Sequence, residues 1–135
     1  TRKITHSVAR IKFGLQKDLK LGNMDAKRDW GHAKDYVEAM WLMLNQRKPE
    51  DYVISTGKHY SVRDFTKLAF DLVDLDYKKY VKVDKKLYRP SEVESLLGDC
   101  KKAKKILKWK PKYDFKKLVK DMMQADLEFV EKEGY

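Results

Sequence analysis

The sequence predicts an α/β fold in which amphipathic helices alternate with short strands, three or four in number and too few for a complete doubly wound sheet. Apolar residues recur at helical spacing in several stretches, while strand-like runs such as LKLGN, DYVISTG and KYVKVD last only five to seven residues. No internal repeat or low-complexity linker divides the 135 residues, so residues 1–135 form one domain, long enough to bury a core.

Taken in order, Ile4, Val8, Ile11 and Leu15 mark a first helix that is already under way at Thr1 and ends near Gly14. A domain rarely begins inside an amphipathic helix without a capping residue, which leads to the expectation of a partial chain. Phe13 adds an apolar residue off the main stripe, as if a neighbour were missing. A strand over LKLGN at 19–23 follows, then a polar loop from Asp25 to Gly31. From His32 a second helix places Ala33, Tyr36, Val37, Met40, Trp41 and Leu44 on one packing face and fades before Pro49. The strand DYVISTG ends at Gly57.

Ser61, with Asp64 three residues on, predicts a capping box opening a third helix, whose buried stripe is Phe65, Leu68, Ala69, Leu72 and Val73. KYVKVD at 79–84 reads as a strand and LYRPSEVESLLGD as an extended loop. Asp99 caps a short helix through Leu107. Asp114 caps a last helix, with Phe115, Leu118, Val119, Met122, Phe129 and Val130 toward the core.

The aromatic content (8 Tyr, 5 Phe, 3 Trp) suits a folded soluble chain, and no apolar run is long enough to span a bilayer. The single cysteine, Cys100, cannot form an internal disulfide, which fits a reducing, cytoplasmic setting. The net charge of +10 is almost all lysine, and ten lysines fall between Lys101 and Lys120 around Trp109 and Tyr113. That segment could grip phosphates and stack bases, but it contains no arginine, so a solvated helical surface is the expected reading and a nucleic-acid partner is not expected.

No glycine-rich strand-to-helix turn is present, so neither a dinucleotide cradle nor a P-loop is visible. His6, His32 and His59 are scattered and make no metal-ligand pattern with Cys100. Tyr113 and Lys117 have a Tyr-x-x-x-Lys spacing but straddle a turn and a helix start, where a catalytic pair is not expected. Two loops concentrate chemistry: Asn23 to His32, with Arg28 between Lys27 and Asp29, and Tyr88 to Val93, with Arg89 and Glu92 around Pro90. Arginine forks suit diphosphate oxygens, and a nearby carboxylate accepts hydrogen bonds from ribose hydroxyls. An ordinary surface ion pair in each loop would explain the same residues.

The segments TRKI, LGNMDAKRDWGHAKDYVEAMWLML, DYVISTG with SVRDF, YRPSEV, LLGD and LKWKPKYDF resemble, in order and spacing, the C-terminal half of the GDP-mannose 4,6-dehydratases, a family of the extended short-chain dehydrogenase/reductase superfamily. The resemblance covers essentially the whole chain, and KRDWGHAKDYVEAMW together with YRPSEV is its specific part. It implies the small substrate lobe of such an enzyme, with an NADP-binding Rossmann domain N-terminal to it and outside this chain. It further implies that Lys3 and Arg28 contact the diphosphate side of GDP-mannose, that Asn23 lies by the nucleotide, and that Arg89 and Glu92 hold phosphate and ribose. Trp30 is expected as a wall.

The family reaction turns GDP-mannose into GDP-4-keto-6-deoxymannose, the precursor of GDP-fucose and GDP-rhamnose. NADP takes hydride from C4, a base removes the C5 proton, water leaves from C6 and hydride returns there. The Tyr, Lys, Thr or Ser and Glu that act in this lyase reaction lie upstream, so no catalytic, cofactor-binding or metal-binding residue is expected in this chain, and no activity from it alone. A homo-oligomer of the full-length enzyme is expected too. Cys100-Lys101 and His59-Tyr60 depart from the family's usual residues without touching the proposed contacts. A sister nucleotide-sugar reductase or epimerase, and a non-catalytic GDP-sugar binder, are the competing readings.

Overall fold

Helix α1 (Arg2–Lys12) buries Ile4, Val8 and Ile11, the stripe its spacing predicts, and ends as Gly14 takes a left-handed φ of 74°. The structure, a computed structural model, describes residues 1–133. Helix α1 lies against the last helix, α6 (Phe115–Glu133), where Val119, Met123 and Val130 are buried. Between them the Thr5 hydroxyl donates to the buried Asp126 carboxylate at 2.5 Å, so the one charge inside this contact is hydrogen-bonded. Helix α3 (Val62–Asp71) completes the cluster with Phe65, Ala69 and Phe70.

The short strands position the loops. Strand β1 (Leu19–Leu21) runs parallel to β4 (Val81–Val83), which follows a single helical turn, α4 (Tyr77–Tyr80), where a longer strand from residue 79 was expected. Strand β2 (Lys27–Arg28) lies inside the segment expected as a polar loop and pairs antiparallel with β3 (Tyr60–Ser61). A smaller cluster joins helix α2 (Ala33–Leu44) to α5 (Lys101–Ile106) through Ala39, Cys100, Ala103, Leu107 and Trp109. The Trp109 indole N–H donates to the Asp35 carbonyl at 2.9 Å, and the buried Asp35 carboxylate accepts from Tyr113 N at 3.0 Å. Trp109 is therefore an interior residue and offers no face to a nucleic-acid base.

Several expectations are corrected. Most of the apolar face assigned to α2 is turned to solvent: Val37 is 62%, Trp41 63% and Leu44 86% exposed, and Met40 is exposed as well, while Tyr36 packs inward as expected. The opposite face, with Asp35 and Ala39, packs inward because the α5 segment covers that side. DYVISTG forms no strand and pairs with none of the strands among the described residues. In α3 Phe65 and Ala69 are buried as expected and Phe70 is buried as well, whereas Leu72, the helix C-cap, is exposed. Phe129 of α6 is partly exposed beside Arg2 and His6.

The capping signals hold. Ser61 and Asp64 form both bonds of the capping box, and Asp114 accepts from Lys117 N at 2.8 Å at the start of α6. At α5 the N-cap position is Cys100, while the Asp99 carboxylate accepts from Lys101 N at 2.9 Å. No described helix is long and apolar enough to cross a membrane.

Candidate functional site

Residues 1–4, 21–30, 62 and 87–92 meet at one cleft of about 250 Å³. The first turn of α1 supplies Thr1, Lys3 and Ile4. The end of β1 supplies Leu21, Gly22 and Asn23, and the β2 segment supplies Ala26, Arg28 and Trp30. The loop after the 3-10 turn at Lys85–Leu87 supplies Arg89 and Glu92, with Leu87 and Val62 on the floor. All five residues expected to bind substrate, Lys3, Asn23, Arg28, Arg89 and Glu92, thus line the same cavity. Gly22 is required there by close approach: a Cβ at this position would lie 2.6 Å from the Leu87 carbonyl oxygen.

The cationic groups differ in how they are held. Arg28 is tied into the fold. Its Nη1 donates to the Lys27 and Val93 carbonyls, both at 2.7 Å, and its Nη2 pairs with the Glu92 carboxylate. Glu92 therefore pairs with the arginine of the other loop and not with Arg89, its neighbour in sequence. Lys3 donates to the Lys20 carbonyl at 2.8 Å, which holds its ammonium at the cleft rim beside β1. Arg89 is exposed and makes no hydrogen bond or ion pair among the described residues, so its guanidinium is available to an anion. Asn23 accepts from Asp25 N through its side-chain oxygen at 2.9 Å, an Asx turn that leaves its NH2 group for a ligand.

Trp30 forms a wall, with its ring edge-on to Phe65 at 5.2 Å and stacked toward Phe115 at 6.2 Å. The cleft combines two arginines, a lysine, one carboxylate and an apolar floor. Such a set suits a doubly charged phosphate group next to a hydroxyl-bearing sugar and a flat base.

Sequence reasoning gave no role to Asp29, which lies outside the cleft lining, and missed the apolar lining residues Leu87 and Val62. The signal for Asp29 was its place beside Arg28; the signal for Leu87 and Val62 was absent, because only the tertiary fold brings them to the cleft. Tyr113 stacks on His32 with ring centroids 3.9 Å apart, and Lys117 N is taken up by the Asp114 cap. No group of His, Cys, Asp and Glu among the described residues could hold a metal ion.

Comparison with known proteins gives a consistent outcome. Residues 1–122 match a family model described as GDP-mannose 4,6 dehydratase. The chain is 54% identical to GDP-mannose 4,6 dehydratase 1 of Arabidopsis thaliana, over 98% of this chain and 37% of that protein. It is 49% identical to the Homo sapiens GDP-mannose 4,6 dehydratase, over 96% of this chain and 40% of that one. Among solved structures, RMD from Pseudomonas aeruginosa complexed with NADPH superposes with a TM-score of 0.85 at 21% identity, covering 96% of this chain and 42% of that one, a likeness of fold. The chain spans about two fifths of the length of the curated relatives it matches.

Proposed function

Because the chain belongs to the GDP-mannose 4,6-dehydratase family, we propose that it is the GDP-sugar-binding lobe of a full-length enzyme that converts GDP-mannose to GDP-4-keto-6-deoxymannose with bound NADP. The observation that carries this reading is the convergence of Lys3, Asn23, Arg28, Arg89 and Glu92 on one cleft. Arg89 and Lys3 meet the diphosphate oxygens. Arg28 backs them while holding Glu92, whose second carboxylate oxygen accepts from the ribose hydroxyls. The base lies along the apolar floor and Asn23.

Binding the nucleotide at this distance from the hexose is useful chemistry. Contacts to the part of the substrate that does not react fix where the reacting part sits, and that positioning lowers the barrier elsewhere. The proton, water and hydride transfers belong to residues outside this chain. The sequence carries no glycine-rich strand-to-helix turn of the kind that cradles a dinucleotide.

The exposed face of α2 supports a partner: the NADP-binding Rossmann domain of the same polypeptide. Val37, Met40, Trp41 and Leu44 lie on that face, and Val53 of the unpaired DYVISTG segment is exposed as well. The remaining three fifths of the relatives' length is a source for such a partner. The homo-oligomer expected of the full-length enzyme is read out separately, by light scattering. The buried free thiol of Cys100 is in keeping with a cytoplasmic setting.

The test is a ligand and activity comparison on the full-length protein. GDP-mannose should bind more tightly than UDP- or dTDP-sugars and be converted with NADP present. Preference for a UDP- or dTDP-sugar points to a sister epimerase or reductase; GDP-mannose binding without conversion points to a non-catalytic binder.

A further inference from the structure

We infer that Asp29 is a positioning residue for the nucleotide cleft, fixing the loop that bears Arg89 and Glu92 against β2. The inference rests on the reading of that cleft as a GDP-sugar site. Asp29 does not line the cleft; it acts through what it holds. Its Oδ1 accepts from Thr56 N at 2.9 Å and from the Thr56 hydroxyl at 2.6 Å. Its Oδ2 accepts from Gly57 N at 3.0 Å and, more weakly, from Gly98 N at 3.4 Å. One carboxylate therefore ties together the Thr56–Gly57 turn that leads into β3 and the far end of the arginine-bearing loop.

Its two predecessors in sequence grip the same loop. Lys27 N donates to the Glu94 carbonyl at 2.7 Å, and Leu96 N donates to the Lys27 carbonyl at 3.0 Å. Arg28 holds Glu92 and the Val93 carbonyl. Three consecutive residues thus anchor the loop along residues 92–98, and Asp29 is the last anchor. It is also the one that locks β2 to the turn preceding its own pairing partner, β3. Both glycines it meets have a structural reason to be glycine. Gly57 has a φ of 74°, and a side chain at Gly98 would run into Ser55.

A carboxylate is needed because every partner on offer is a donor. In Asp29→Asn the new NH2 must face one of the two sets of N–H groups, donor against donor, in a side chain of unchanged shape. The Lys27 and Arg28 contacts remain, but the loop loses its last anchor and β2 its tie to the Thr56–Gly57 turn, which loosens the spacing between Arg89 and the Arg28–Glu92 pair. The nucleotide contacts lie away from the reacting hexose, so the loss falls on binding of substrate and transition state alike.

The experiment uses the full-length enzyme, with GDP as probe in calorimetry and GDP-mannose in steady-state kinetics. Asp29→Asn should raise KM and the GDP Kd by roughly tenfold or more and leave kcat within about threefold. Thr56→Val removes the hydroxyl bond to Asp29 together with the hydroxyl's local contacts to the Lys58 carbonyl and N–H, keeps the Thr56 N bond to Asp29, and should shift both in the same direction by less. Asp35→Asn is the control: this carboxylate is more deeply buried than the half-buried Asp29 but serves Tyr113 N, so it should lower the melting temperature with KM unchanged. If Asp29→Asn and Thr56→Val lower the melting temperature while KM and Kd stay at wild-type values, Asp29 is merely structural and the inference fails. If Asp29→Asn does not fold, Thr56→Val decides alone. If the wild-type enzyme binds no GDP, the reading of the cleft falls first, and this inference with it.

Discussion

Arg28 and Glu92 stand 64 residues apart and form an ion pair at the cleft, with side chains only 21% and 20% exposed. The pair joins the two arginine-bearing loops that line the cleft, and it separates the two arginines by how they are held. Arg28 is committed to the fold through three acceptors, whereas Arg89 has none among the described residues.

That division separates two outcomes for Arg89→Ala. Removing a free, exposed guanidinium should leave the melting temperature near wild type, a change within about 0.5 kcal/mol. The same substitution should weaken GDP binding to the full-length enzyme by about 2–4 kcal/mol, the cost of a charge-assisted phosphate contact. Calorimetry with GDP and a thermal melt on one sample measure both. Unchanged GDP affinity would remove Arg89 from the site.

Arg28→Ala should behave differently, lowering stability and affinity together. It leaves Glu92 shielded without its partner and the Val93 carbonyl without its donor, a penalty of about 1–3 kcal/mol. Arg28→Lys restores the charge but not the planar fork that reaches two carbonyls and a carboxylate at once, so it should recover only a minor part of either loss. A lysine variant indistinguishable from wild type in both measurements would show that charge alone is required.

The contrast between these arginines was only half legible in the sequence. Residue type and loop context singled out Arg28, Arg89 and Glu92, with diphosphate binding and an ordinary ion pair both open as explanations. Which acid pairs with which arginine was not legible, since Glu92 is three residues from Arg89 and meets Arg28 only through the tertiary fold. The helices followed the same rule. The Ile4, Val8, Ile11 stripe and the Ser61 capping box are local features and appear where their spacing puts them. The α2 stripe has the same periodicity, but periodicity says only that residues share a face, not what covers it. The two-residue pairing of β2 with β3 is too short to leave any pattern at all.

The capping box gives a prediction on stability and pH. The Ser61 hydroxyl and backbone N–H hold the Asp64 carboxyl below the usual aspartate range. A carboxylate depressed in the folded state adds stability that is complete above its unfolded pKa and is lost as pH falls through the lower, folded value. Ser61→Ala should cost about 1 kcal/mol at neutral pH. Part of that difference should vanish as the pH drops below the usual aspartate range, because protonated Asp64 no longer favours the box. Urea melts of both proteins at neutral and acidic pH measure this; a constant difference across the range would mean that the carboxylate does not participate.

The exposed face of α2 yields the sharpest test of how this lobe is used. Trp41 is 63% exposed, and in a lobe that stood alone, Trp41→Ala would change stability by no more than about 0.5 kcal/mol. If the Rossmann domain of the same polypeptide covers this face, the ring is buried in the full-length enzyme and the same truncation should cost about 3–5 kcal/mol. Leu44→Ala, at 86% exposed, should follow it with about 2–5 kcal/mol. Denaturant unfolding of the full-length enzyme reads the difference directly, and Lys116→Ala, on the surface of α6, serves as the reference for an exposed substitution. Losses at Trp41 and Leu44 no larger than at Lys116 would mean that the apolar face stays in solvent and the lobe docks elsewhere. Large losses at both would place the domain contact on α2, opposite the buried Asp35 and Ala39, and on the far side of that helix from its contact with Trp109.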